Sequence, residues 1–410
     1  MKSFLSVCLA VVMLLTLAAC SFNIIGPSQG MSEQKYPAPA TESNQQTEAT
    51  AEPVTNEEIE TDDSITMLFN PIQEDETAED GTVIYSYHYQ NVVVSMPAAP
   101  DVQQTIQDSI ADLTKYTKDQ SRASASWAKE MYTGEGEWAA HYTHIYYIPN
   151  RVDAKVISIA AQMMEFNGGS HPNSTIIPMN FNAETGSELK ITEIIASEEQ
   201  LSTLKEMVFS YLEEEFGKEK LLDGYDEIVD ERFNTATADS ANWYLTNEGL
   251  VYYFVPYEIA AYRYGTVEAV LNYSSLEGIL KEEYLPEETS KEANSIKAAL
   301  SSELELTFDA VHTVTLDPEG EHITLYGLEK AGSVTVTVGY WGVDDNLFYP
   351  TETLFYTDNL AEKECIELVT YIPDAIPNIR IQLGEKNGQT VYLSQSGEDG
   401  SILLLKDGEF

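Results

Sequence analysis

Cysteine is scarce in this chain, with three in 410 residues at positions 8, 20 and 365. No disulfide framework can be built from them. Cys365 lies in the apolar run Cys365-Ile366-Glu367-Leu368-Val369, where a lone thiol serves as a small buried hydrophobe. Cations are scarce too: 22 Lys and Arg stand against 68 Asp and Glu, for a formal charge of −46. Such a field repels nucleic acid and anionic lipid headgroups, which excludes both as partners. It favours cationic partners and speeds their arrival more than it tightens the final complex. An acidic surface suited to a salty or wall-bound setting accounts for the same charge. Beyond the N-terminal leader no run is apolar enough to span a bilayer, which takes about 20 residues.

Catalytic patterns are missing as well. There is no Gly-x-Ser-x-Gly elbow to expose a nucleophile. His141 and His144 are spaced for neither zinc nor catalysis, because an odd offset on a strand puts them on opposite faces. Thr307-Phe308-Asp309-Ala310 matches the start of a polysaccharide deacetylase motif, but Ala310 and Val311 replace the acid and glycine, and His312-Thr313 leads only to Leu316. Asp317-Pro318-Glu319 and Asp344-Asp345-Asn346 carry oxygen ligands without the spacing of a calcium loop. The expectation is a binding protein, not an enzyme, with no metal and no cofactor.

What is present begins at the N-terminus. Lys2 precedes the apolar run Phe4–Leu17, which closes on Leu17-Ala18-Ala19-Cys20. That layout is a secretory signal, and its closing box resembles the bacterial lipoprotein signal, which implies lipidation of Cys20 and a protein hung on the membrane outside the cell. Ordinary secretion with Cys20 incidental is the alternative. Residues 21–64 hold Pro27, Pro37, Pro39 and Pro53 among Gln, Thr, Ser and Glu, a composition that cannot bury enough apolar surface to fold and so reads as a tether.

Three folded units are expected after it, making an α+β chain that ends in a small β-sandwich. In residues 65–150, Val83–Tyr89, Val92–Val94 and His141–Ile148 have strand composition. Between them Val102, Ile106, Ile110, Leu113 and Tyr116 recur at helical spacing, with Asp101 and Gln104 placed as a capping box. In residues 151–286 two strands flank Gly168-Gly169-Ser170-His171-Pro172-Asn173. A helix capped by Ser197 and Gln200 and stopped by Gly217 follows, then a weaker helix over Tyr225–Phe233 and a hairpin over Trp243–Phe254. Residues 300–410 read as short alternating strands only, the pattern of a sandwich.

Three segments of the second unit, Phe166-Asn167-Gly168-Gly169-Ser170-His171, Met179–Gly186 and Pro256-Tyr257-Glu258-Ile259-Ala260-Ala261-Tyr262 followed by Gly265, resemble the extracellular RsiV-type domain. In that family the outer part of a membrane-spanning anti-sigma factor binds lysozyme. The preceding unit resembles the domain found upstream in RsiV and in PdaC-type peptidoglycan deacetylases. The resemblance implies capture of lysozyme or another basic extracellular protein. The lipid anchor in place of a membrane helix, the lack of a cytoplasmic segment and the additional β-unit depart from the family, so regulated sigma-factor release does not carry over. A structural or adhesive role on peptidoglycan is the alternative.

The candidate binding residues are Gly168, Gly169, His171, Tyr257, Glu258 and Tyr262. Paired glycines permit positive φ and close approach by another backbone, and His171 projects from a loop edge. A tight hairpin with a structural histidine explains the same residues, and packing of a sheet against its helix accounts equally well for the tyrosines. The 25 Tyr against 13 Phe suit either a recognition surface or strands with one wetted face.

Overall fold

The computed structural model describes residues 64–406, apart from 235–236, 287–295, 328–330, 343–346, 373–375, 385–387 and 398. The leader with Cys20, nearly all of the tether and Asp344-Asp345-Asn346 lie outside the described residues.

The chain opens with β1 (Thr66–Thr77) and β2 (Val83–Ser95), then helix α1 (Pro100–Met131), β3 (His141–Val152), β4 (Val156–Phe166) and β5 (Asn173–Asn182). Neighbours pair antiparallel except β2 and β3, which run parallel over Tyr85–His88 and His141–His144. A parallel pair needs a long crossover, and α1 supplies it. Its buried stripe begins with Val102, Ile106, Ile110 and Leu113, as the spacing predicts, then continues through Thr117 and Ser121 to Ala128. The pattern of large apolar residues ends at Tyr116 because small side chains take over the inner face. The expected capping box is absent. Gln103 and Gln107 instead turn toward the β2 end, accepting from Met96 N at 2.8 Å and Val94 N at 2.9 Å.

After β5 come α2 (Glu198–Ser210), α3 (Tyr225–Arg232) and the hairpin-based sheet β6 (Trp243–Leu245), β7 (Gly249–Phe254) and β8 (Val267–Asn272). Ser197 is the residue before α2, as expected, but its hydroxyl makes no cap bond. The helix runs on through a π-helical stretch, Tyr211–Gly217, and stops at Gly217 with φ 109°. Leu201, Leu204, Val208, Leu212 and Val229 pack with Trp243, Leu250, Tyr252 and Phe254 in a core of their own.

The remaining strands are β9 (Ile296–Leu300), β10 (Ala310–Thr315), β11 (Glu321–Gly327), β12 (Gly332–Trp341), β13 (Phe348–Leu360), β14 (Glu364–Thr370), β15 (Ile379–Leu383), β16 (Gln389–Gln395) and β17 (Ile402–Leu405). The four-stranded sheet β10-β14-β11-β9 packs on β12, β13, β15 and β16 around Val314, Leu325, Val336, Phe355 and Ile381. The fold is α+β with a β-rich C-terminal region.

The expected unit boundaries do not separate sheets. Residues 150 and 151 fall inside β3, which continues to Val152. β1 pairs with β13 at Thr66↔Thr357, Met67↔Tyr356 and Leu68↔Phe355. One ten-stranded sheet, β17-β16-β15-β12-β13-β1-β2-β3-β4-β5, therefore joins the first and last thirds of the chain. Where β2 and β3 part, the side chain of Gln90 bridges the gap. Its amide donates to Thr353 O at 2.8 Å and accepts from Tyr147 N at 2.8 Å.

Candidate functional site

The sheet alternates strictly along β3. His141, Thr143, Ile145 and Tyr147 are buried, while Tyr142, His144 and Tyr146 are half-buried on the other side. On the buried side the tyrosine hydroxyls are tied to the helix: Tyr147 bonds Thr114 at 2.7 Å and Tyr87 bonds Thr117 at 2.9 Å. These are core tyrosines with satisfied hydroxyls. The other side is different in kind. Tyr142 stacks on His144 at 4.3 Å and on Phe166 at 5.6 Å, and the His144 ring lies 4.2 Å from that of His88. His141 and His144 do lie on opposite faces. His141 sits between Trp127 and Trp138 on the helix side.

Beside this band the β4–β5 turn carries the glycine pair. Gly168 and Gly169 have φ 82° and 110°, conformations that L side chains rarely adopt. A Cβ on Gly168 would come 3.1 Å from His141 Nε2, so the turn sits tight against the sheet end. That geometry delivers His171 to the loop before β8. The imidazole stacks on Tyr262 at 3.7 Å and its Nε2 is hydrogen-bonded across 3.2 Å to the Tyr257 hydroxyl. The Tyr262 hydroxyl donates to Pro172 O at 2.7 Å. Tyr257 has φ 71° and is the sole non-glycine with positive φ among the described residues, yet its ring is 59% exposed. A bulky residue held in that conformation costs of order 1 kcal/mol and marks a place for inquiry into function.

Five of the six candidate residues thus meet in one place: the glycines shape the turn, and His171, Tyr257 and Tyr262 form an aromatic cluster. Glu258 does not join them. One carboxylate oxygen is paired with Arg232 of α3 and the other accepts from Val255 N at 2.9 Å. It closes the turn that presents Tyr257. The residues that sequence reasoning missed are His88, Tyr142 and His144. The strand alternation alone could have placed Tyr142 and His144 together, whereas His88 required knowing that β2 and β3 pair.

The two regions adjoin. Burial raises the Tyr142 hydroxyl above its usual range, and the nearby Tyr262 hydroxyl raises it further. Burial drives His144 down to about 3, with the neighbouring His88 adding to the effect, and burial lowers His88 as well. Both rings are therefore neutral at physiological pH, able to donate and accept hydrogen bonds but carrying no charge. Near His88 the order of groups is acid, serine, imidazole: the Ser86 hydroxyl donates to Asp75 and lies 3.0 Å from His88 Nε2. In a catalytic relay the imidazole stands in the middle. Among the described residues no group of three or more His, Cys, Asp and Glu side chains is placed to hold a metal ion, and no helix is long and apolar enough to cross a membrane.

Residues 192–274 match the model of a family described as a protein of unknown function (DUF3298). That stretch contains Tyr257, Glu258 and Tyr262 but not His171. Two solved structures of that family are similar to the chain. One, from Bacteroides fragilis NCTC 9343, is 16% identical, covers 53% of this chain and 94% of its own, and has a TM-score of 0.40. The other, from Pseudomonas aeruginosa PAO1, is 14% identical, covers 54% and 96%, and has a TM-score of 0.37. No curated protein matches the chain.

Proposed function

We propose that this protein is a lipid-anchored binding protein on the outside of a bacterial cell, and that it captures a cationic extracellular protein such as lysozyme. The observation that carries the reading is the junction of His171, Tyr257 and Tyr262 with the Tyr142–His144–His88 band. Half-buried rings give large contact area at low entropy cost, and their polar tips hydrogen-bond a partner. Neutral histidines on this face do not repel a cation, and the net charge of −46 steers one toward it. The RsiV-type resemblance of the segments around Gly168 and Tyr257, and the lipoprotein-like box at Cys20, support the partner class and the address.

The test is titration of the chain lacking residues 1–20 with a basic lysozyme, beside a basic protein of matched charge, at moderate salt. Lysozyme binding at least tenfold tighter than the control is the expected result. Equal binding of the two contradicts the proposal. Retention on purified peptidoglycan in the absence of lysozyme would favour the adhesive alternative.

A further inference from the structure

The same sheet face continues past His144 to a second, separate feature. Tyr146 follows His144 at the next position on this side of β3, and its hydroxyl donates to Gln162 at 2.6 Å. Across from it stands the β12–β13 hairpin. There Tyr340 faces Tyr349, and the two rings stack at 5.6 Å with an interplanar angle of 19°. They are 58% and 40% exposed, a large apolar surface to leave in water.

The register explains what lies beneath them. Gly339 pairs with Pro350 while Val338 pairs with Glu352, so Thr351 is an extra residue in β13. A bulge of this kind re-aims the side chains that follow it. Tyr349 and Glu352, three apart, would face opposite ways on a regular strand; the bulge puts both on the side of Tyr340 and Val338. Glu352 is half-buried and poorly satisfied. Among the described residues its hydrogen bond is from Gln90 Nε2 at 3.5 Å, at the limit of such a contact, and the same amide donates its other proton to Thr353 O at 2.8 Å. No Lys, Arg or His pairs with Glu352 among the described residues. Burial pushes its carboxyl above the ordinary range. β13 packs against β3, the strand that carries Tyr146, and burial first, then the charge of Glu352 and the Tyr340 hydroxyl, raise the Tyr146 phenol above its usual range.

A half-buried carboxylate with no counter-charge among the described residues, on the same face as exposed tyrosine rings, is the arrangement that a cation completes. The ion pair satisfies the buried charge, and the ring faces add an attraction that grows as water is excluded. A planar guanidinium suits it better than an ammonium, because it can bond the carboxylate in a fork while stacking on the rings. We propose that Glu352, Tyr146, Tyr340 and Tyr349 form a receptor site for a guanidinium group, the arginine side chain of a protein partner. That its occupant in the cell is an arginine of the captured cationic protein rests on the function proposed above; the chemistry of the site does not.

The experiment uses the whole chain without residues 1–20 and two small probes, N-acetyl-arginine amide and its neutral citrulline counterpart, followed by tyrosine ring signals in NMR. The expected result is saturable shifts with the arginine probe, at least tenfold weaker affinity for citrulline, and at least tenfold loss on Glu352→Gln. Tyr340→Ala, at an exposed position that leaves the core intact, is expected to weaken the arginine probe several-fold. Equal binding of the two probes, or unchanged affinity in both variants, overturns the site. Arginine binding together with failure to bind lysozyme upholds the site and overturns the capture reading; lysozyme binding that is indifferent to Glu352→Gln, with no arginine binding, does the reverse.

Discussion

Arg151 of β3 donates through Nη1 to the backbone carbonyl of Tyr284 at 2.6 Å, although 133 residues separate them. The side chain is 1% exposed, and it also reaches Asp153 at 2.6 Å and the Tyr273 hydroxyl at 2.7 Å. It therefore ties the large sheet to the end of the segment that carries α2, α3 and the small sheet. Arg151→Met should leave the Tyr284 carbonyl without its side-chain donor and should cost about 1–3 kcal/mol, the usual penalty for a buried polar group left unmet; Asp153, 35% exposed, keeps the Lys155 and Val156 N–H groups. Lys in its place should not rescue, because one ammonium cannot make the same fork. Denaturant unfolding checks this; a loss under about 1 kcal/mol would show that the arginine is ornamental to the fold.

Gln90 is the second unusual buried polar group, 1% exposed and bonded to two strands that do not pair with each other there. Gln90→Leu keeps the volume but strands one carbonyl and one N–H, each worth about 1–3 kcal/mol when buried and unmet. Amide exchange at Tyr147 should accelerate in this variant while exchange in α2 is unchanged. Uniform acceleration across the chain would contradict the local role.

Stability should depend on pH through His144 and His88. Their folded-state values lie below the unfolded one, His144 at about 3 against 6.5, because burial disfavours the charged ring. The unfolded chain then binds more protons between those values, so stability is fully present above about pH 6.5 and falls as the pH drops from there toward 3. His144→Gln should flatten part of that slope. Melting temperatures from pH 7.5 to 4.5 for the two proteins test it, and parallel curves would contradict it.

Tyr257 is held at φ 71° with an exposed ring. Tyr257→Gly relieves the backbone at little packing cost, so stability should stay within about 0.5 kcal/mol or rise by up to about 1 kcal/mol. Binding of the partner should weaken at least tenfold. A thermal melt paired with a titration reads both, and a destabilised variant that still binds fully would mean that the ring serves the fold.

Much of this was legible beforehand, and the rest was hidden for identifiable reasons. The Gly168-Gly169 turn, the apolar stripe of α1, the stop at Gly217 and the opposite faces of His141 and His144 are local, governed by φ and by side-chain period. The unit boundaries were not, because the pairing of β1 with β13 joins Thr66 to Thr357, and a segment's composition does not name a strand partner so far along the chain. The capping box expected of Asp101 and Gln104 did not form, because the helix starts earlier, with Ala99 as its cap residue, and Gln104 donates to Asp108 one turn on. Glu258 was placed among the binding residues with its tyrosine neighbours because nothing near it in sequence announced its pairing with Arg232. The Glu352 site depends on a one-residue bulge and on a strand crossing to β3, neither of which has a sequence signature.

Capture of a cationic protein requires that the face around His171 and Tyr262 recognise it. The direct measurement is calorimetric titration of basic lysozyme into the chain lacking residues 1–20, beside the His171→Ala/Tyr262→Ala double variant, at low and moderate salt. The expected result is binding that survives moderate salt and drops at least tenfold in the double variant, whose net charge barely differs. Binding that vanishes with salt and is the same in both proteins would show charge alone at work and contradict the account.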